Sequence, residues 1–201
     1  PPPHSMPMNK QRYFSALTRF AAAFAFLADI SLLTLGGAIK RKERLSARLG
    51  DILSLLYLAS AIVKRFKDDR RPPADLPLVH WSMQDTLYRA QEAFYGVLSN
   101  FPGRFRGSIL RFVLFPWGRP FSPPSDELEH KVARLMLTPG ESRDRLTAGI
   151  YLPASGEEPL GALEAALQCS VASDAVEARL RTAVKSGQIP AGDGERIEAA
   201  R

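Results

Sequence analysis

His80 stands five residues after Asp75 and five before Asp85, in a chain with serines throughout. Those residue types are what a nucleophile, its base and an orienting acid require, but a triad is recognised by geometry, which sequence spacing does not supply. A polar histidine at the start of a helix is the simpler reading. His4, His80 and His130 have no metal-ligand spacing to one another or to Cys169, so no metal site is expected. Gly36-Gly37 followed by Lys40 lacks the Gly-x-x-x-x-Gly-Lys-Ser/Thr spacing of a phosphate loop, and no Gly-x-Gly-x-x-Gly occurs. Asp29 is set among apolar residues, a setting that penalises charge. An arginine across a helical bundle is the ordinary remedy, and Arg48 is a candidate. No residue is therefore assigned a catalytic, cofactor-binding or metal-binding role.

The chemistry that does stand out is that of contact. Residues 101–121 read FPGRFRGSILRFVLFPWGRPF and hold five of the eleven phenylalanines, one of the two tryptophans, four arginines and no acid. The apolar run between Pro102 and Pro116 is too short to cross a bilayer. Aromatic rings flanked by guanidinium groups suit a membrane interface, where the rings enter the headgroup boundary and the arginines stay with phosphate. The same composition also suits a connection packed over a bundle, or a patch that docks on a partner domain. The candidate contact residues are Arg104, Arg106, Arg111, Phe112, Phe115, Trp117 and Arg119.

Helices must position this segment. Leu45, Leu49, Ile52, Leu56, Ala59, Val63 and Phe66 recur at alternating steps of four and three, which places them on one stripe of a helix. Leu55, Leu58 and Ile62 widen it. Before it, Phe14, Leu17, Phe20, Phe24, Leu27 and Ser31 form one stripe, and Phe26, Ile30 and Leu33 another. Gly36-Gly37 ends that helix, since glycine reaches the left-handed cap without steric cost. Residues 21–39 approach the roughly 20 that span a bilayer. A carboxylate near the middle, Asp29, favours a buried bundle helix instead, and the long Pro-rich lead argues against a secretory signal. A third helix over 75–99 carries Leu76, Val79, Met83, Leu87, Ala90, Phe94 and Val97 on one stripe, with Trp81, Tyr88 and Tyr95 beside it. After Pro123-Pro124, Ser125 is an N-cap for a helix with Leu128, Val132, Leu135 and Met136 on its apolar side, stopped by Pro139-Gly140. Two shorter patterns follow, Leu160-Leu163-Leu167 and Val176-Leu180-Val184, the latter closed by Gly187.

The fold class is all-α: a helical bundle with a smaller helical C-terminal appendage. Residues 1–8 read as a linker remnant, 9–137 as the bundle with its Arg/Phe segment, and 138–201 as the small C-terminal region. At 201 residues, 45% hydrophobic and 24% charged, the composition is that of a globular chain. A single cysteine excludes an internal disulfide and fits a reducing compartment, hence the cytoplasm. Charge is uneven. Residues 1–124 hold 18 Lys+Arg against 8 Asp+Glu, and residues 125–201 hold 9 against 13. A basic half suggests an anionic neighbour. Without a zinc-finger or RNA-recognition signature, nucleic acid is not the expected partner.

The wording of the chain resembles the C-terminal region of the long bacterial, membrane-associated type of acyl-CoA dehydrogenase of fatty acid β-oxidation. The matching stretches are RYFSALTRFAAAFAFLADI, LGGAIKRKERLSARLGDILSLLYLASAIVKRF, ADLPLVHWSMQD, the Phe101-Pro102 turn, FPWGR and PSDELEHKVARLML. A weaker likeness continues through YLPASGEEPLGALEAAL to about Gly187. ARLGDILSLLYLASAIVKR also looks like the bundle helix that recurs in the C-terminal domains of these dehydrogenases generally.

The resemblance implies a FAD enzyme that removes two hydrogens across the α and β carbons of an acyl-CoA, with a glutamate as base. It also implies that flavin, substrate and base belong to domains preceding Pro1. Glu43 and Glu92, the glutamates of the helical half, match no catalytic motif. The chain thus reads as a fragment without chemistry of its own, partnered by flavin-bearing domains. An anionic membrane surface, placing it peripherally at the inner membrane, and self-association are further partners to test.

Overall fold

The computed structural model describes residues 10–151, 153 and 158–188. Among them are seven α-helices and no strand. They fall into two compact units, residues 1–132 and 133–201. The linker remnant 1–8 and the tail beyond 188 lie outside the described residues.

In the first unit, α1 (Lys10–Leu35) and α2 (Glu43–Asp68) are joined by a 3₁₀ turn over Gly36–Arg41. Gly36 takes φ +48° there, the left-handed conformation a side chain would strain. A second 3₁₀ turn, Pro73–Asp75, leads into α3 (Leu76–Ser99). Packing of α2 on α3 forms the centre of the bundle, and α1 lies against α2. The expected stripes supply the core: Phe20 and Leu27 from α1, Ile52 and Leu56 from α2, Met83, Leu87 and Phe94 from α3 are all buried. Burial of each such side chain contributes roughly 1.5–3 kcal/mol. Ser31 is buried as well, its hydroxyl donating to the Leu27 carbonyl at 2.6 Å, so a polar atom on the stripe is satisfied within its own helix.

The outer faces differ from expectation. Leu58 does not widen the buried stripe of α2 but is exposed, as are Leu53 and Tyr57. Phe14, Phe26 and Leu33 of α1 are exposed too. Both helices are long and apolar enough to cross a membrane by length and composition, and each buries less than a third of its most apolar window. They are therefore less enclosed than the expected bundle helices. Asp29 is exposed, and no ion pair joins it to Arg48. The Arg48 side chain instead lies over Gly96 of α3.

α4 (Arg104–Leu114) and α5 (Asp126–Leu137) complete the first unit, α5 running on into the second. Ser125 caps α5, its hydroxyl accepting from the Leu128 amide at 3.4 Å. The second unit contains α6 (Glu141–Thr147), which the sequence patterns did not separate, and α7 (Pro159–Lys185). The two short leucine and valine patterns are one helix, because no Gly or Pro interrupts residues 168–176. Gly187, at φ +73°, closes it. Arg143 of α6 grips Glu164 of α7 through two hydrogen bonds, at 2.9 and 2.5 Å.

Candidate contact surface around helix α4

The segment that the sequence marks is a short helix laid on the end of α3. Gly103 turns the chain at φ +84°, and α4 begins at Arg104, whose side chain lies outside the described residues. Gly107 meets the last turn of α3 so closely that a Cβ there would stand 2.4 Å from the Leu98 carbonyl oxygen. Leu110 points inward and is buried.

Phe115 is also buried, at 4% exposure, which corrects its expected place on the contact surface. Its ring meets Phe20 and Phe94 edge to face, with centroids 5.9 and 5.5 Å apart, and lies 5.1 Å from Tyr95. Phe20 is at the centre of this cluster, touching Phe94 and Phe121 as well. Edge-to-face pairs add about 0.5–1.5 kcal/mol beyond burial. Phe115 thus anchors α4 rather than serving a partner.

Two of the expected arginines are engaged within the chain. Arg111 and Arg119 both place their guanidinium groups over the Tyr95 ring, 5.1 and 4.5 Å from its centroid. Arg119 also lies 3.1 Å from Glu92, an ion pair in which that carboxylate oxygen has no aligned hydrogen bond. The Tyr95 hydroxyl is buried without a hydrogen-bond partner among the described residues, a cost of roughly 1–3 kcal/mol that the ring contacts offset. The chain after α4 is held along α3 by two glutamines. Gln91 donates to the Phe121 carbonyl at 2.9 Å and accepts from its amide at 3.0 Å, and Gln84 donates to the Pro123 carbonyl at 3.1 Å.

Three further expected residues, Arg106, Phe112 and Trp117, face outward. Trp117 is 87% exposed and Phe112 73%, and Arg106 is exposed. The sequence reading missed their companions Phe105 (80% exposed), Ile109 and Val113. Between α1 and this region runs an open groove of about 490 Å³. Arg19, Ala22 and Phe26 form one wall, and Val113, Pro116 and Trp117 the other. Arg19 donates to the Leu114 carbonyl at 3.5 Å.

His80 is not an isolated polar histidine. It is half-buried, and the Tyr13 hydroxyl of α1 pairs with its Nδ1, the rings meeting edge on with centroids 5.6 Å apart. Burial pushes the Tyr13 phenol up to about 12, against a smaller opposing effect of Arg12. Burial, helped by Arg12, lowers the His80 imidazole from its ordinary 6.5. A partner 67 residues away leaves no signal in local spacing. The pair has the form of a structural clasp between α1 and α3. Among the described residues no cluster of three His, Cys, Asp or Glu side chains could hold a metal ion.

No solved structure matches the chain. The family described as acyl-CoA dehydrogenase, C-terminal, bacterial type, matches it over residues 3–201. That match covers the bundle, the α4 surface and the second helical unit alike, and the chain belongs to the bacterial-type C-terminal family of acyl-CoA dehydrogenases.

Proposed function

We propose that this chain is the C-terminal accessory domain of a FAD-dependent dehydrogenase that oxidises acyl-CoA to trans-2-enoyl-CoA in fatty acid β-oxidation, and that it contributes contact rather than chemistry. The observation that carries the reading is the family match, which is to a C-terminal region of acyl-CoA dehydrogenases. FAD needs partners for its diphosphate and for the polar edge of its ring system. The groove beside α4 offers one guanidinium among apolar side chains and does not fit it. On this reading, as the resemblance implies, flavin, substrate and proton-abstracting glutamate belong to other parts of the enzyme. This chain is a cytoplasmic fragment of it, with its bundle over 9–137 and a small helical region over 138–201.

The contact surface is the exposed side of residues 105–119, through Arg106, Phe112 and Trp117, with Arg111 and Arg119 bracing it from Tyr95. The test is direct. The purified chain should show no flavin absorbance and should reduce no dye with an acyl-CoA, yet should bind the separately produced flavin-bearing part of the enzyme. Stoichiometric FAD binding with dye reduction by this chain alone would overturn the reading.

A further inference from the structure

The turn between α2 and α3 places arginine where glycine fits better. Arg70 and Arg71 both take positive φ, +62° and +60°. In that left-handed region Cβ crowds the following carbonyl oxygen, and arginine lacks the short polar group with which asparagine offsets the clash. At the other positions with positive φ among the described residues, Gly36, Gly103, Gly118, Gly149 and Gly187, the chain uses glycine. Capping does not explain the exception. The Arg70 amide donates to the Lys67 carbonyl at 3.1 Å and the Arg71 amide to the Phe66 carbonyl at 2.9 Å, which closes α2 with backbone groups alone. Glycine would make the same bonds without strain. What glycine would not supply is the side chains, and strain that local structure does not need points to function.

Both side chains are exposed and enter no hydrogen bond or ion pair among the described residues. The nearby acids are already engaged. Lys64 holds Asp68, and Arg65 lies 3.6 Å from Asp69, each cation one turn back on α2. Pro72 and Pro73 stiffen the exit towards α3. The turn thus presents two adjacent guanidinium groups on a constrained backbone. Guanidinium groups bind carboxylate or phosphate oxygens through paired hydrogen bonds. Asp68 and Asp69, directly before the arginines, would repel a continuous run of phosphates such as a nucleic-acid backbone. None of the exposed large apolar side chains falls between residues 59 and 75, so nothing here enters a lipid surface. A protein segment with two close carboxylates meets both arginines and stays clear of the aspartates.

Resting on the reading of this chain as an accessory domain that binds the flavin-bearing part of the enzyme, we propose that the Arg70-Arg71 turn is a second docking point for that part, separate from α4, and that it takes two neighbouring Asp or Glu side chains. Charge pairs of this kind fix register and speed association. A backbone already constrained loses less freedom when the partner arrives.

The experiment titrates the full chain into the separately produced flavin-bearing part, by calorimetry, at low and at high salt. Arg70→Asn with Arg71→Asn should weaken binding about tenfold or more at low salt. It should also remove most of the salt dependence, because the screened charges are gone. The same variant should melt roughly 2–4 °C higher by circular dichroism, since asparagine tolerates positive φ. A gain in stability together with a loss in binding is the expected signature, and it separates docking from a merely structural role. Lys40→Gln with Arg41→Gln removes the same charge from exposed positions before α2 and should leave binding nearly unchanged. Equal binding by the asparagine variant, or an equal loss in the glutamine variant, would overturn the proposal while the accessory-domain reading stands. A melting point that fails to rise would overturn it as well, because arginine would then cost the turn nothing. No binding by the wild-type chain would overturn the accessory-domain reading, and this docking point with it.

Discussion

Gly107 of α4 rests on the carbonyl oxygen of Leu98, so close that a Cβ at Gly107 would lie 2.4 Å from that oxygen. The obstacle is backbone, which cannot swing aside as a side chain can. Gly107→Ala should therefore lift α4 from α3 and loosen Phe115 from its aromatic cluster, at a cost of about 1–3 kcal/mol. Urea unfolding measures it. By contrast, Gly96→Ala meets the flexible Arg48 side chain at 3.0 Å and should be milder. Equal midpoints for Gly107→Ala and wild type would show that α4 is not seated as described.

Leu56 is buried and central on α2, whereas Leu58, two residues on, is exposed. Leu56→Ala should cost about 2–5 kcal/mol, and Leu58→Ala should stay within about 0.5 kcal/mol. Thermal melts of the two variants check the phase of the helix. A larger loss at Leu58 would reverse the assignment of its faces.

The same two residues show what the sequence made legible. The three-four stripes of α2 and α3 read cleanly because a single phase accounts for Leu45 to Phe66 and for Met83 to Val97. Leu58 was misjudged because α2 is apolar on more than one face, and residue type alone does not say which face finds a partner. Phe115 was misplaced for a related reason. Phe105 and Phe112 lie within α4 and Phe115 just after it, three residues of one type, and the close approach at Gly107 helps fix which side is inward. The outward set was half legible, with Phe112 and Trp117 named and Phe105, Ile109 and Val113 missed. The Tyr13–His80 pair was not legible at all, because long-range partners leave no local period.

Gln91 is fully buried, and its amide satisfies both the amide and the carbonyl of Phe121. Gln91→Leu keeps the volume but leaves two backbone groups unpaired, each costing roughly 1–3 kcal/mol. Residues 116–123 should detach from α3 before the bundle unfolds. Hydrogen exchange at the Phe121 amide reads this directly, with at least tenfold faster exchange expected in the variant. Unchanged protection would mean the clasp holds nothing.

Glu164 is held by the Arg143 guanidinium, with Gln168 adding a hydrogen bond, and its carboxyl lies below the usual 4.5. A depressed folded value means that the pair supports the second unit above pH 4.5, and that this support fades as pH falls through the folded value. Glu164→Gln should therefore lower the stability of α6 and α7 at pH 7 and flatten their acid response. Helicity followed by circular dichroism from pH 7 to pH 3 tests it. Parallel acid profiles for the two proteins would show that the pair does not couple α6 to α7.

Tyr13 and His80 set limits on the first unit from both ends of the pH scale. His80 has a lowered folded value, so the folded state binds its proton less readily than the unfolded chain. Stability is then full above the ordinary 6.5 and declines as pH falls below it, because the half-buried ring beside Arg12 disfavours the charged imidazolium. Tyr13, raised to about 12, works in the opposite sense. Its neutral phenol is favoured by folding, so its contribution is complete below pH 10 and is lost as pH rises towards 12. The urea midpoint should hold a plateau between roughly 6.5 and 10 and fall on either side. His80→Phe keeps an aromatic ring against Tyr13 but cannot be protonated. It should abolish the acid-side decline while leaving the alkaline one. An acid-side decline of the same slope in His80→Phe would place the sensitive group elsewhere and reduce the pair to a ring contact between α1 and α3.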